Sequence, residues 1–148
     1  MNTVYDFIYQ LFSWLYSPDF HEHLKGLSEN HNNLVEGFSW YGLSYSIMLV
    51  VTILVLLIYY VGPFNKSPYN TNIRWFIFLI INALIHSISY YSIAFSYNGG
   101  IFCDDYDLTN DLIGFGFSGL IIAALLFWLL SYFFRLFSSN NGTVPKFL

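Results

Sequence analysis

The chain has 148 residues, 56% of them hydrophobic and only 9% charged, with a mean hydropathy of +0.53. Soluble domains carry about 25% charged residues. A core of this size cannot hide so much apolar surface from water, so lipid is the expected solvent for much of the chain. The net charge of −4 and five scattered basic residues exclude nucleic acid as a partner, because phosphate binding needs clustered Lys and Arg.

The single Cys103 excludes an intramolecular disulfide. The first residues lack a basic n-region and a small-residue cleavage site, so no secretory signal peptide is expected.

Residues 3–17, TVYDFIYQLFSWLYS, carry a helical pattern. Thr3, Asp6, Gln10, Ser13 and Ser17 mark a polar stripe, and Val4, Phe7, Ile8, Leu11, Trp14 and Leu15 fill the opposite side. About fifteen residues are too few to cross a bilayer. Two placements fit: in the membrane interface with the aromatic face in the acyl boundary, or docked on a partner or on the chain's own bundle. The stripe lacks the Lys and Arg usual on interfacial helices. Pro18 is expected to stop this helix.

Residues 19–36 are the most polar stretch. His21 and His23 flank Glu22, and His31 follows. Imidazole and carboxylate together suit zinc, but an HxH pair without a full ligand set reads as a solvated loop or short helix. No metal or cofactor is expected.

Residues 40–61 form the cleanest membrane span, with no charge at its centre. Trp40 lies at one end, and Tyr59 and Tyr60 at the other, where amphipathic rings serve as interfacial anchors. Gly62-Pro63 ends the helix. A short connector follows, with an Asn-Thr-Asn run suited to capping the next helix. Its brevity makes the first two spans an antiparallel hairpin.

Residues 73–96 form a second span with a thin polar line. Asn82, His86, Ser89 and Ser96 fall at i, i+4, i+7 and i+14, on one helical face. Such a face points to protein rather than lipid. Intramembrane His is a functional-site hypothesis by default, but no Asp, Glu, Lys or second His lies in any expected span to complete a proton relay.

Asp105, Asp107, Thr109 and Asp111 alternate as in a calcium loop. The glycine expected at the sixth position is Asn110, and the glutamate expected at the twelfth is Gly116, which excludes an EF-hand. Capping of the third span, over about residues 112–137, explains these acids. Gly116, Gly119 and Ala123 share one face of that span, a small-residue seam for helix–helix approach. Arg74 and Arg135 mark span ends as further anchors. Asn141-Gly142-Thr143 matches a glycosylation sequon that occurs readily by chance.

The expected fold is an all-α integral membrane protein: an N-terminal amphipathic helix and polar segment over residues 1–39, then three transmembrane helices over 40–148. Lys66, Arg74, Arg135 and Lys146 place the first loop and the C-terminus in the cytoplasm by the positive-inside rule, with the N-terminus outside. The bacterial inner membrane is the expected site, with the mitochondrial inner membrane as alternative. No GxSxG, HExxH, CxxC or Gly-rich phosphate loop is present, so no enzyme is expected. The expected role is a structural or anchoring subunit of a larger membrane complex, secretion-type or respiratory, with lipid and other membrane subunits, or its own copies, as partners. The alternative is a homo-oligomeric pore-forming effector or channel, with the Asn82–His86–Ser89 stripe lining the path.

Overall fold

A computed structural model describes residues 2–25, 40–62, 64, 71–97 and 109–135. Every long regular element among them is an α-helix: α1 (Asn2–Phe12), α2 (Pro18–Lys25), α3 (Trp40–Tyr60), α4 (Asn72–Tyr97) and α5 (Thr109–Arg135). Three of these are long and apolar enough to cross a membrane: Trp40–Tyr60, Asn72–Ile93 and Asn110–Arg135. At 1.5 Å per residue, even the shortest reaches about 30 Å, the thickness of a hydrocarbon core.

The first helix differs from the sequence expectation. It ends at Phe12, five residues before Ser17, and Pro18 opens α2 instead of closing α1. The reason is local. Proline is well suited to the first turn of a helix, and it disfavours helical dihedrals in the residue before it. Ser17 therefore becomes the N-cap of α2. Its Oγ accepts the Phe20 N–H at 3.3 Å, and its carbonyl accepts the His21 N–H at 3.1 Å. Thr71 caps α4 in the same way, accepting the Arg74 N–H on Oγ1 at 3.4 Å.

The chain divides into two units, and each long helix contributes a segment to both: Met1–Ser46 with Ser87–Gly119, and Ile47–His86 with Leu120–Leu148. The first unit has an aromatic core. Phe12, Tyr16, Phe20 and Leu24 are buried at four-residue spacing through α1, the turn and α2. Phe115 of α5 lies among Tyr16, Phe20, Tyr41 and Tyr90, with ring centroids 4.8–6.0 Å apart. Tyr5 stacks on Tyr41 and Tyr45 of α3 at 5.1 and 6.1 Å. Such ring pairs add about 0.5–1.5 kcal/mol beyond their buried area. Small residues permit this packing: a Cβ on Gly119 would meet the Tyr90 ring, 2.8 Å from Cγ, and one on Gly114 would run into the Leu15 carbonyl.

The second unit packs Val55, Leu56, Tyr59, Tyr60, Trp75 and Phe127 into one cluster. Here α3 and α4 run antiparallel: Thr52 faces His86, and Tyr59 faces Thr71 and Phe78. Outward positions such as Leu54, Ile58, Ile77, Ile80 and Leu129 are apolar and exposed.

Candidate functional site

Two polar networks lie inside these apolar units. The first joins α1, α2 and α3. Asp6 Oδ1 accepts from His21 Nε2 at 3.0 Å and pairs with Lys25 Nζ, which also donates to Glu22 Oε1 at 2.9 Å. His21 Nδ1 lies 2.8 Å from the Tyr41 hydroxyl, and that hydroxyl lies 3.2 Å from the one on Tyr16. The donors can be ordered. An ionised carboxylate only accepts, so the hydrogen of the neutral imidazole is on Nε2 and Nδ1 is an acceptor. Tyr41 then donates to His21, which leaves its oxygen to accept from Tyr16. The hydrogen bonds run one way, Tyr16 to Tyr41 to His21 to Asp6. The Tyr9 ring covers the imidazole at 4.1 Å.

The charges in this network are mutually tuned. The bond from Lys25, then that from His21, lowers the Asp6 pKa. Burial lowers the His21 pKa, outweighing the Asp6 bond that favours the imidazolium. Burial also opposes the Lys25 charge, yet the bonds to Asp6 and Glu22 win and raise its pKa. Burial pushes the Tyr16 hydroxyl up to about 12.

A second tie holds the same region. Ser17 donates its backbone N–H to Asp111 Oδ1 and its hydroxyl to Oδ2, both at 2.7 Å. Both oxygens of the carboxylate near the start of α5 thus engage the cap of α2.

The other network lies in the second unit. Asn82 Nδ2 donates to the Ala123 carbonyl and to Thr52 Oγ1, each at 3.3 Å, and Thr52 Oγ1 lies 3.3 Å from His86 Nε2. The carbonyl accepts only, so it fixes the Asn82 amide orientation. Thr52 Oγ1 accepts from Asn82, and its hydroxyl, with two acceptor lone pairs and one hydrogen, can serve either tautomer of His86 at Nε2. Further along, Ser131 Oγ accepts the Trp75 indole N–H at 2.7 Å and bonds the Tyr60 hydroxyl.

The residues singled out from sequence fall as follows. Asn82 and His86 are fully buried and meet through Thr52, while Ser89 is half-buried. The side chain of Ser96 lies outside the described set. Gly116 packs against Ser87 and Tyr91, Gly119 lies under Tyr90, and Ala123 supplies the carbonyl for Asn82, so all three meet α4 of the same chain. Tyr59 and Tyr60 differ from lipid-interface anchors: both are buried in the core of the second unit, because Ser131 and the Thr71 carbonyl accept or share their hydroxyl bonds there. Trp40, Arg74 and Arg135 are partly buried at or near helix ends.

His21 is not solvated as its polar neighbourhood suggests; it is buried, because Asp6 and Tyr41 satisfy both ring nitrogens. Glu22 turns to Lys25 instead of sharing a ligand position with it. No group of three His, Cys, Asp or Glu among the described residues is placed to hold a metal. His31 and the acids at 104–107 lie outside the described residues. Sequence reasoning missed Tyr16, Tyr41 and Asp111 as network members, since their partners are 20–94 positions away.

The chain matches no family model, no curated protein and no solved structure.

Proposed function

We propose that the protein is a small, non-enzymatic structural subunit that anchors a larger membrane assembly, a secretion-type envelope machine or a respiratory complex. One observation carries the reading. Six polar side chains of the long helices bond one another within the chain, in the sets Asn82–Thr52–His86 and Trp75–Ser131–Tyr60, while many outward positions are apolar and aromatic. On α5, Leu125, Trp128, Leu129, Tyr132 and Phe133 are all exposed. Large, stiff, interlocked rings of this kind suit contact with partner helices, because aromatic groups bury much area at little entropic cost. Such a chain is a scaffold with its polar groups turned inward and its contact surface turned outward.

The orientation proposed with this role follows the basic residues: N-terminus outside, C-terminus cytoplasmic, in a bacterial or mitochondrial inner membrane. The burial of Asn82 and His86 counts against a homo-oligomeric pore, because side chains wrapped by their own bundle do not line a path between copies.

The test is purification of the tagged protein in mild detergent, followed by native mass analysis. The account expects distinct partner proteins held in fixed stoichiometry. A single species at a multiple of 17.2 kDa, conducting ions in planar bilayers, would replace the subunit with the pore.

A further inference from the structure

Helix α1 and the turn after it carry apolar residues on the outside as well as the inside. Val4, Phe7, Leu11 and Trp14 recur at spacings of three and four, and each is between 55% and 72% exposed. The opposite side is occupied: Tyr5 stacks on Tyr41 and Tyr45, Tyr9 on His21, and Phe12 is buried. The one charge on the helix, Asp6, is tied to His21 and Lys25 of α2 at the edge of the unit, its side chain 43% exposed. With one apolar face packed inside and a second left outside, the helix suits an apolar surrounding along its Val4–Phe7–Leu11 side.

The attachments of α1 and the following turn show how deep that surrounding lies. Tyr41 and Tyr45 are the second and sixth residues of α3. Asp111, which holds Ser17, and Gly114, which abuts Leu15, are the third and sixth of α5. At 1.5 Å per residue, all four lie within about 8 Å of the starts of two membrane-length helices. An interfacial helix buries its apolar face about 5–10 Å into the headgroup and acyl boundary.

We propose that α1 is an in-plane membrane helix, its Val4–Phe7–Leu11–Trp14 stripe embedded among acyl chains on the side where α3 and α5 begin. This rests on the membrane reading above. The occupant is lipid rather than a partner protein, since the stripe is tied within about 8 Å of the starts of two membrane-length helices, in a unit whose long helices also expose Ile88, Ile113 and Phe117. The stripe carries no basic residue, so anionic headgroups play no part in holding it. The cap of α1 and α2 thereby keeps the Asp6–His21–Tyr41 network behind a lipid-facing wall.

The test uses the full chain in phosphatidylcholine vesicles, with and without phosphatidylglycerol, in a Cys103→Ser background. Nitroxide labels go on Phe7→Cys, Leu11→Cys and Gln10→Cys, with Ile80→Cys of α4 as the membrane control; all four positions are exposed, so labelling leaves the core intact. The expected result is greater access to oxygen than to a water-soluble nickel chelate at positions 7, 11 and 80, the reverse at 10, and no change with anionic lipid. Chelate access at 7 and 11 with oxygen access at 80 would put α1 in water and end the proposal. Shielding of 7 and 11 from both reagents would assign the stripe to a protein partner and end it equally. Chelate access at position 80 would overturn the membrane reading itself.

Discussion

His21 and His86 show how one residue type is handled in two settings. His21 has both ring nitrogens satisfied and a pKa lowered chiefly by burial. The folded state therefore favours the neutral ring, and its contribution to stability is complete above the ordinary value near 6.5. That contribution is lost as the pH falls from about 6.5 towards the lowered folded value. Asp6, with its pKa lowered from 3.8, stabilises above that value and is lost only in stronger acid. Amide protection over α1 and α2, taken relative to the intrinsic exchange rate at each pH, should fall as the pH drops from about 7.5 to about 5, and His21→Gln should flatten that dependence. Equal protection at both pH values would remove His21 from the cap.

His86 has a different prediction. His86→Gln retains a donor and an acceptor for Thr52 and should preserve thermal stability in detergent, while His86→Leu should lower it modestly, since such membrane hydrogen bonds average about 0.6 kcal/mol. Equal loss of stability in His86→Gln and His86→Leu would show that the Thr52 bond contributes nothing.

At the scale of elements, the long helices were legible in the sequence and the N-terminal cap was not. Spans 40–61 and 73–96 announce themselves by length and by Gly62-Pro63 and Thr71 at their ends, and α3 and α4 follow them within a residue or so. Residues 13–17 carry the same helical periodicity as residues 3–12, yet the chain breaks there. The decisive interaction, Ser17 with Asp111, spans 94 positions and leaves no trace in a local pattern. Tyr59 and Tyr60 are misleading for a related reason: a tyrosine at a span end fits lipid headgroups by composition, and only the packing of Ser131 and Phe78 reveals an interior place. Asp111→Asn keeps an acceptor for one Ser17 bond but loses the charge, so it should loosen the cap by roughly 1–2 kcal/mol, read as faster exchange at Ser17 and Phe20. Gly119→Leu should be far more disruptive, because its side chain meets the Tyr90 ring at once. The fold should lose several degrees of thermal stability in detergent or fail to form. Unchanged stability would mean that α4 and α5 do not approach at that position.

For the whole molecule, apolar cores that hold small polar networks lie behind helix faces that expose many large apolar side chains, which suits apolar surroundings. Three of the described helices are long and apolar enough to cross a membrane, and the proposed topology, in which all three cross, puts the two termini on opposite sides. Cysteines at Asn30 and Ser139, in a Cys103→Ser background, report this directly with a membrane-impermeant thiol reagent. In intact cells the account predicts labelling at position 30 and protection at position 139 until the membrane is opened. Labelling of both positions from the same side would contradict the proposed three-span topology.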